Sequence, residues 1–162
     1  MNIEQDLARI ALQEERLRFP RFDAGVAWEI GLALKEAAEA RGAAVAIDVS
    51  TYAQPLFFHA MAGTTPDNPE WVRRKRNVTF RFCKSSYAVG LTLQRDGATL
   101  ESKHKLGPDY MAHGGSFPLW IAGSTCIGAI TVSGLPQRED HDLLTRTLAE
   151  FLDVPVSEIA LD

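Results

Sequence analysis

No stretch of this 162-residue chain approaches the roughly 20 consecutive apolar residues that a membrane-spanning helix needs, so no membrane partner is expected. The segment from Met1 to Arg16 is charged and helix-patterned and lacks the apolar centre of a secretory signal, which makes a cytoplasmic location the expectation. Cysteine is scarce. Cys83 and Cys126 form no close-spaced metal motif, and their apolar neighbours make them read as reduced core thiols rather than a disulfide. The histidines His59, His104, His113 and His141 include no i, i+4 pair, so zinc signatures are missing and no metal site is expected. Dinucleotide and P-loop fingerprints are also absent, as is the Gly-x-Ser-x-Gly elbow, leaving Ser116, Ser133 and Cys126 little case as nucleophiles. There is no repeat, low-complexity tract or linker, so residues 1–162 read as a single domain. Lys and Arg number 17 against 21 Asp and Glu, a net charge of −4, which argues against a nucleic-acid partner.

What is present is patterned. Asn2 with Gln5 reads as a capping box for a helix whose face carries Ile3, Leu7 and Ile10; Pro20 ends that segment. Asp23 caps a longer helix with Val26, Ile30, Ala33, Leu34 and Ala37 inward, stopped at Gly42. Ala44 to Ser50 and Pro55 to Met61 read as an antiparallel strand pair. Asn68-Pro69 reads as a helix start, with that helix reaching about Lys84. Ser85 or Ser86 then caps a further helix through Leu93, although Leu91-Thr92-Leu93 also suits a strand. Residues 98–115 look irregular. Phe117 to Ile121 and Thr125 to Val132 make a second hairpin, and Pro136 opens a last helix. Strands joined by hairpins imply an α+β fold with a mainly antiparallel sheet.

Candidate chemistry gathers in two places. The first is His113-Gly114-Gly115-Ser116, where successive backbone N–H groups can form an anion nest beside a titratable imidazole; the alternative is pure turn geometry before a strand. The second is a basic stretch between Trp71 and Gly107 that holds nine of the 17 basic residues. It includes Arg73-Arg74-Lys75-Arg76, which one helical turn spreads around the cylinder. Arg73 and Arg76 are the candidates to clamp a carboxylate or phosphate, and His59, at a strand end, can reach a pocket rim. A solvated face or a salt-bridge network is the competing reading of the basic run.

Three segments together resemble a UPF-type branch of the haem-degrading-domain superfamily. They are His59-Ala60-Met61-Ala62-Gly63-Thr64-Thr65-Pro66-Asp67-Asn68 with Trp71-Val72-Arg73-Arg74-Lys75, the loop from His113 to Pro118, and the run from Gly128 to His141. The resemblance implies a three-layer profilin-like domain, with an antiparallel sheet flanked by helices and copies assembled into homo-oligomers. It names haem or another tetrapyrrole as the candidate cofactor. In that family a run of glycines precedes the strand; here Gly114-Gly115-Ser116 replaces part of it, and Thr131 stands where glycine is usual. The leading expectation is an oligomeric small-ligand-binding protein using His113, Gly114, Gly115, Ser116, Arg73, Arg76 and His59. Two alternatives stay open: an enzyme acting on a small anionic metabolite through a His acid/base and an Arg clamp, and a structural or protein-interaction oligomer.

Overall fold

The computed structural model describes residues 2–161. Local chemistry sets most element starts. Helix α1 (Ile3–Arg16) begins where the Asn2 side chain accepts the Glu4 and Gln5 N–H groups, and α2 (Ala24–Ala40) begins where Asp23 accepts that of Val26 at 2.9 Å. Strands β1 (Ala46–Thr51) and β2 (Pro55–Ala60) follow as a hairpin. Helix α3 (Asp67–Phe82) starts one residue ahead of the expected cap: Pro66 holds the N-cap position, and Asn68 Oδ1 instead accepts the Thr65 N–H at 2.8 Å. Helix α4 (Ser86–Arg95) is capped by Ser85, whose hydroxyl accepts from Ala88. Its Leu91 and Leu93 are both buried because the helix packs on two sides, Leu91 with Ile10 and Tyr87, Leu93 with Val78 and Val89. Burial on two faces gives a helix the alternation of a strand.

The segment 98–115 is not wholly irregular. It contains α5 (Leu100–His104), nucleated by a reciprocal capping box between Thr99 and Ser102. Strands β3 (Ser116–Trp120) and β4 (Cys126–Ser133) come next, then α6 (Gln137–Phe151). A short C-terminal helix absent from the sequence expectation, α7 (Val156–Ile159), is fastened to α1 by Gln13 Nε2 donating to the Ile159 carbonyl at 2.8 Å.

The four strands form one antiparallel sheet in the order β2-β1-β4-β3. Strand alternation sorts its faces. Ile47, Val49, Ile130, Val132, Phe117 and Leu119 join the main core with Ile30 and Leu34 of α2 and Leu144 and Leu148 of α6. Asp48, Ser50, Thr131, Ser133 and Ser116 occupy the other face. A polar face of an antiparallel sheet ordinarily meets water. Here α3 lies over it, so these side chains are buried and must pair with one another. Ser116 and Thr131, opposite each other in register, share a 2.8 Å hydroxyl contact. The result is the three-layer α+β arrangement with helices on both sides of the sheet.

Candidate functional site

The glycine loop leads into β3 beneath the start of α6, and its backbone is engaged. Gly114 N–H donates to Gln137 Oε1 at 3.3 Å, and Ser116 N–H donates to Ser86 Oγ at 3.1 Å. Two of the three donors expected for an anion nest are thus spent within the fold. The glycines serve close approach instead. A Cβ at Gly114 would lie 2.1 Å from the Gln137 carbonyl oxygen; one at Gly115, where φ is +122°, would lie 2.5 Å from that of Val132 and 2.9 Å from Lys75 Nζ.

That missing Cβ makes room for a buried ion pair. Lys75 Nζ donates to Asp140 Oδ2 at 2.7 Å, with side-chain exposures of 4% and 0%. Asp140 also accepts the backbone N–H groups of Leu135 (3.0 Å) and Gly134 (3.4 Å), holding the β4–α6 connection. Burial pushes the Lys75 ammonium down and the Asp140 carboxyl up, and each partner's charge offsets the other's shift only in part. Spacing with Val72 and Val78 on the buried side of α3 was the signal in the sequence that Lys75 points inward.

His113 stands apart from this closed network. Its ring stacks on Trp71, 5.3 Å between centroids and 22° between planes, and neither ring nitrogen has a hydrogen-bond partner among the described residues. Desolvation first, then the Lys75 and Arg74 cations, holds its pKa below the usual imidazole value, which favours the neutral ring. Two concavities share His113 and Gln137 as lining. One is a groove of about 710 Å³ between α4, α5 and residues 106–113, with Leu91, Leu93, Leu100, Leu106 and Met111 in its walls. The other is a polar chamber of about 270 Å³ lined by Asn68, Trp71, Lys75 and Ser133.

The remaining sequence candidates do not converge on His113. Arg73 is held by Glu70 (2.6 Å) and Asp109 (2.9 Å). Arg76 reaches the sheet, donating to Asp48 at 2.9 Å and Ser50 at 3.3 Å. His59 pairs in register with Ile47, a residue of the α2 and α6 core, and so sits on the face away from α3. The cation that sequence reasoning passed over is Arg74. Its guanidinium lies 5.4 Å from the Trp71 ring centre and donates to the Pro108 carbonyl at 2.7 Å, with no carboxylate in salt-bridge range among the described residues. Trp71 therefore contacts both the His113 imidazole, which lines the groove, and the Arg74 guanidinium, which reaches the groove-lining Pro108 through its carbonyl.

These features define a three-layer α+β protein with an open groove of mixed polar and apolar lining and an imidazole at its rim. The family model "Haem degrading protein HbpS-like" matches residues 22–149, and the chain belongs to that family. A UPF0303 protein of Rhizobium leguminosarum bv. trifolii is 52% identical over 162 residues, covering 100% of this chain and 98% of its own length. A UPF0303 protein of Burkholderia vietnamiensis is 52% identical over 163 residues, covering 100% and 99%. Among solved structures, Ybr137w protein superposes with a TM-score of 0.83 at 27% identity, covering 91% of this chain and 87% of that one. The PduOC:heme complex gives 0.69 at 18% identity, covering 79% and 93%, which bears on the fold.

Proposed function

We propose that the protein binds a flat, apolar ligand carrying acidic groups, haem or a related tetrapyrrole, in the groove beside His113. The observation that carries this reading is an imidazole with both ring nitrogens uncommitted, at the edge of a ligand-sized groove with leucine and methionine side chains in its walls. The residues fit such a group. A metal-binding imidazole must be neutral, and the surroundings of His113 favour that form. Leu91, Leu93, Leu100 and Met111 suit the macrocycle, and Arg74 has donors to spare for a propionate. When bound, haem supplies the redox chemistry of its iron; the protein orients it and limits its access to water. The HbpS-like family and the PduOC:heme neighbour support the same ligand class.

Titration of the purified protein with hemin should give a saturable shift of the Soret band. His113→Ala should weaken the complex by about tenfold or more and Arg74→Gln by a smaller factor, whereas Arg73→Gln should change little, since its charge is already paired. No saturable spectrum, or an unchanged affinity in His113→Ala, overturns the proposal. The reading includes assembly into a homo-oligomer, supported by Trp28 at 59% exposure with Leu32 one turn further along α2. Light scattering measures it. A second reading, turnover of a small anionic metabolite, draws on His113 and Arg74 sharing Trp71. A metabolite screen whose turnover disappears in His113→Ala distinguishes it from binding alone.

A further inference from the structure

At the opposite end of α3 from Trp71, the chain's two cysteines converge on one phenol. Cys83 closes α3 in the left-handed conformation, φ +50°, with its N–H bonded to the Thr79 carbonyl at 2.9 Å. Cys126 opens β4, and its thiol donates to the Gly128 carbonyl at 3.4 Å. The Tyr52 hydroxyl, carried on the β1–β2 connection, lies 3.3 Å from Cys83 Sγ and 3.8 Å from Cys126 Sγ while contacting the Phe80 carbonyl at 3.2 Å. The shared phenol thus brings both sulfurs to one oxygen. Cys83 is partly accessible and Cys126 is buried.

We propose that Cys83 and Cys126 form a redox-reactive dithiol that a hydroperoxide converts to an intramolecular disulfide. The accessible sulfur reacts first and the buried one resolves it. The Cys83 thiol releases its proton, and its thiolate attacks the terminal oxygen of the hydroperoxide. The O–O bond breaks, the alcohol leaves with a proton, and Cys83 becomes a sulfenic acid. The Cys126 sulfur then attacks Cys83 Sγ, the S–O bond breaks, and the departing hydroxide takes the Cys126 proton as water. Two thiols and one hydroperoxide yield a disulfide, an alcohol and water, the two electrons passing from sulfur to the peroxide. Burial and the neighbouring thiols keep the Tyr52 phenol protonated, so it holds the sulfurs side by side as a hydrogen-bonding group rather than acting as a base. The disulfide would fasten the end of α3 to β4. That helix bears Trp71, Arg74 and Lys75 near its other end.

The test exposes the native, reduced protein to hydrogen peroxide, alkylates it under denaturing conditions and measures intact mass and linked peptides. The expected product has lost two hydrogens, takes up no alkylating agent, contains a peptide joining Cys83 to Cys126, and reverts with dithiothreitol. In Cys126→Ala, Cys83 should stop at a sulfenic acid that dimedone traps. In Cys83→Ala, Cys126 should oxidise about tenfold more slowly than Cys83 does. Two alkylatable thiols after peroxide, a disulfide between chains, or Cys126 oxidising first would each overturn the proposal.

Discussion

Asp140→Ala isolates what holds the site together. The change removes the partner of an ammonium whose side chain is 4% exposed, and it strips the acceptor from the Gly134 and Leu135 N–H groups. Removing one member of a buried ion pair costs about 3–5 kcal/mol, because the other charge stays buried without compensation. Against a typical stability of about 5–15 kcal/mol this is a large fraction. With an m-value of about 1–3 kcal/mol/M it moves the urea midpoint down by about 2 M. Lys75→Met should cost less, about 1–3 kcal/mol. The carboxyl it leaves keeps two backbone donors, and burial already favours its protonated form. In the double variant no charge is left in the pocket, so Lys75→Met should partly rescue Asp140→Ala, with a coupling of about 2 kcal/mol. Urea unfolding followed by circular dichroism and tryptophan fluorescence measures all three. A cost below about 1 kcal/mol for Asp140→Ala, or a cycle additive within about 0.5 kcal/mol, would refute the assignment of the pair as the bolt between α3 and α6.

Gly115→Ala should destabilise by about 3 kcal/mol or more, combining a positive φ with a Cβ 2.5 Å from the Val132 carbonyl; Gly123→Ala, also at positive φ but with nothing within 4 Å, should cost about 1 kcal/mol. Comparing their urea midpoints separates backbone strain from collision. His141, fully buried, has its pKa lowered from 6.5 to about 3, chiefly by desolvation. The folded state therefore prefers the neutral ring. That contribution is complete above pH 6.5 and is lost as pH falls toward 3, at up to about 1.4 kcal/mol per unit. Stability measured between pH 7 and 5 should fall more steeply in the wild type than in His141→Asn, and parallel profiles would rule out His141 as the group responsible.

Local signals carried the sequence reading furthest. The caps at Asn2, Asp23 and Ser85 act within three residues, and the inward stripe of α2 through Ile30 and Leu34 follows from helical period alone. The partnerships that shape the site join positions far apart in the chain, and no local pattern encodes them. Lys75 finds Asp140, Asp48 finds Arg76, and Cys83 and Cys126 reach the same Tyr52 hydroxyl only when α3 lies across the sheet. Ser116 and Thr131 are instructive. Each stands where the resembling family's glycine pattern is broken, and the register makes them cross-strand partners whose hydroxyls meet. Two departures that look independent in the sequence are one hydrogen bond in the fold.

Two histidines show how differently the fold commits the same side chain. His141 is buried, and its Nε2 meets Gln13 Oε1 at 2.8 Å; because Gln13 Nε2 donates to the Ile159 carbonyl, the His141 Nε2 is the donor. That ring ties α6 to α1 and α7 and has no capacity left at Nε2. His113 is the reverse. Its carbonyl accepts from Ser86 Oγ, and the next residue is pressed against the Gln137 carbonyl, so the main chain is fixed on both sides. The side chain, supported by Trp71 on one face, keeps both nitrogens free. A rigid backbone beneath an uncommitted imidazole has little conformational entropy left to lose on binding, which is the condition for a preorganised site. The glycines beside it contribute by what they lack. A Cβ at Gly115 would crowd Lys75 Nζ and Asp140 and keep the ion pair from closing, and one at Gly114 would collide with the Gln137 carbonyl and displace the backbone that holds His113.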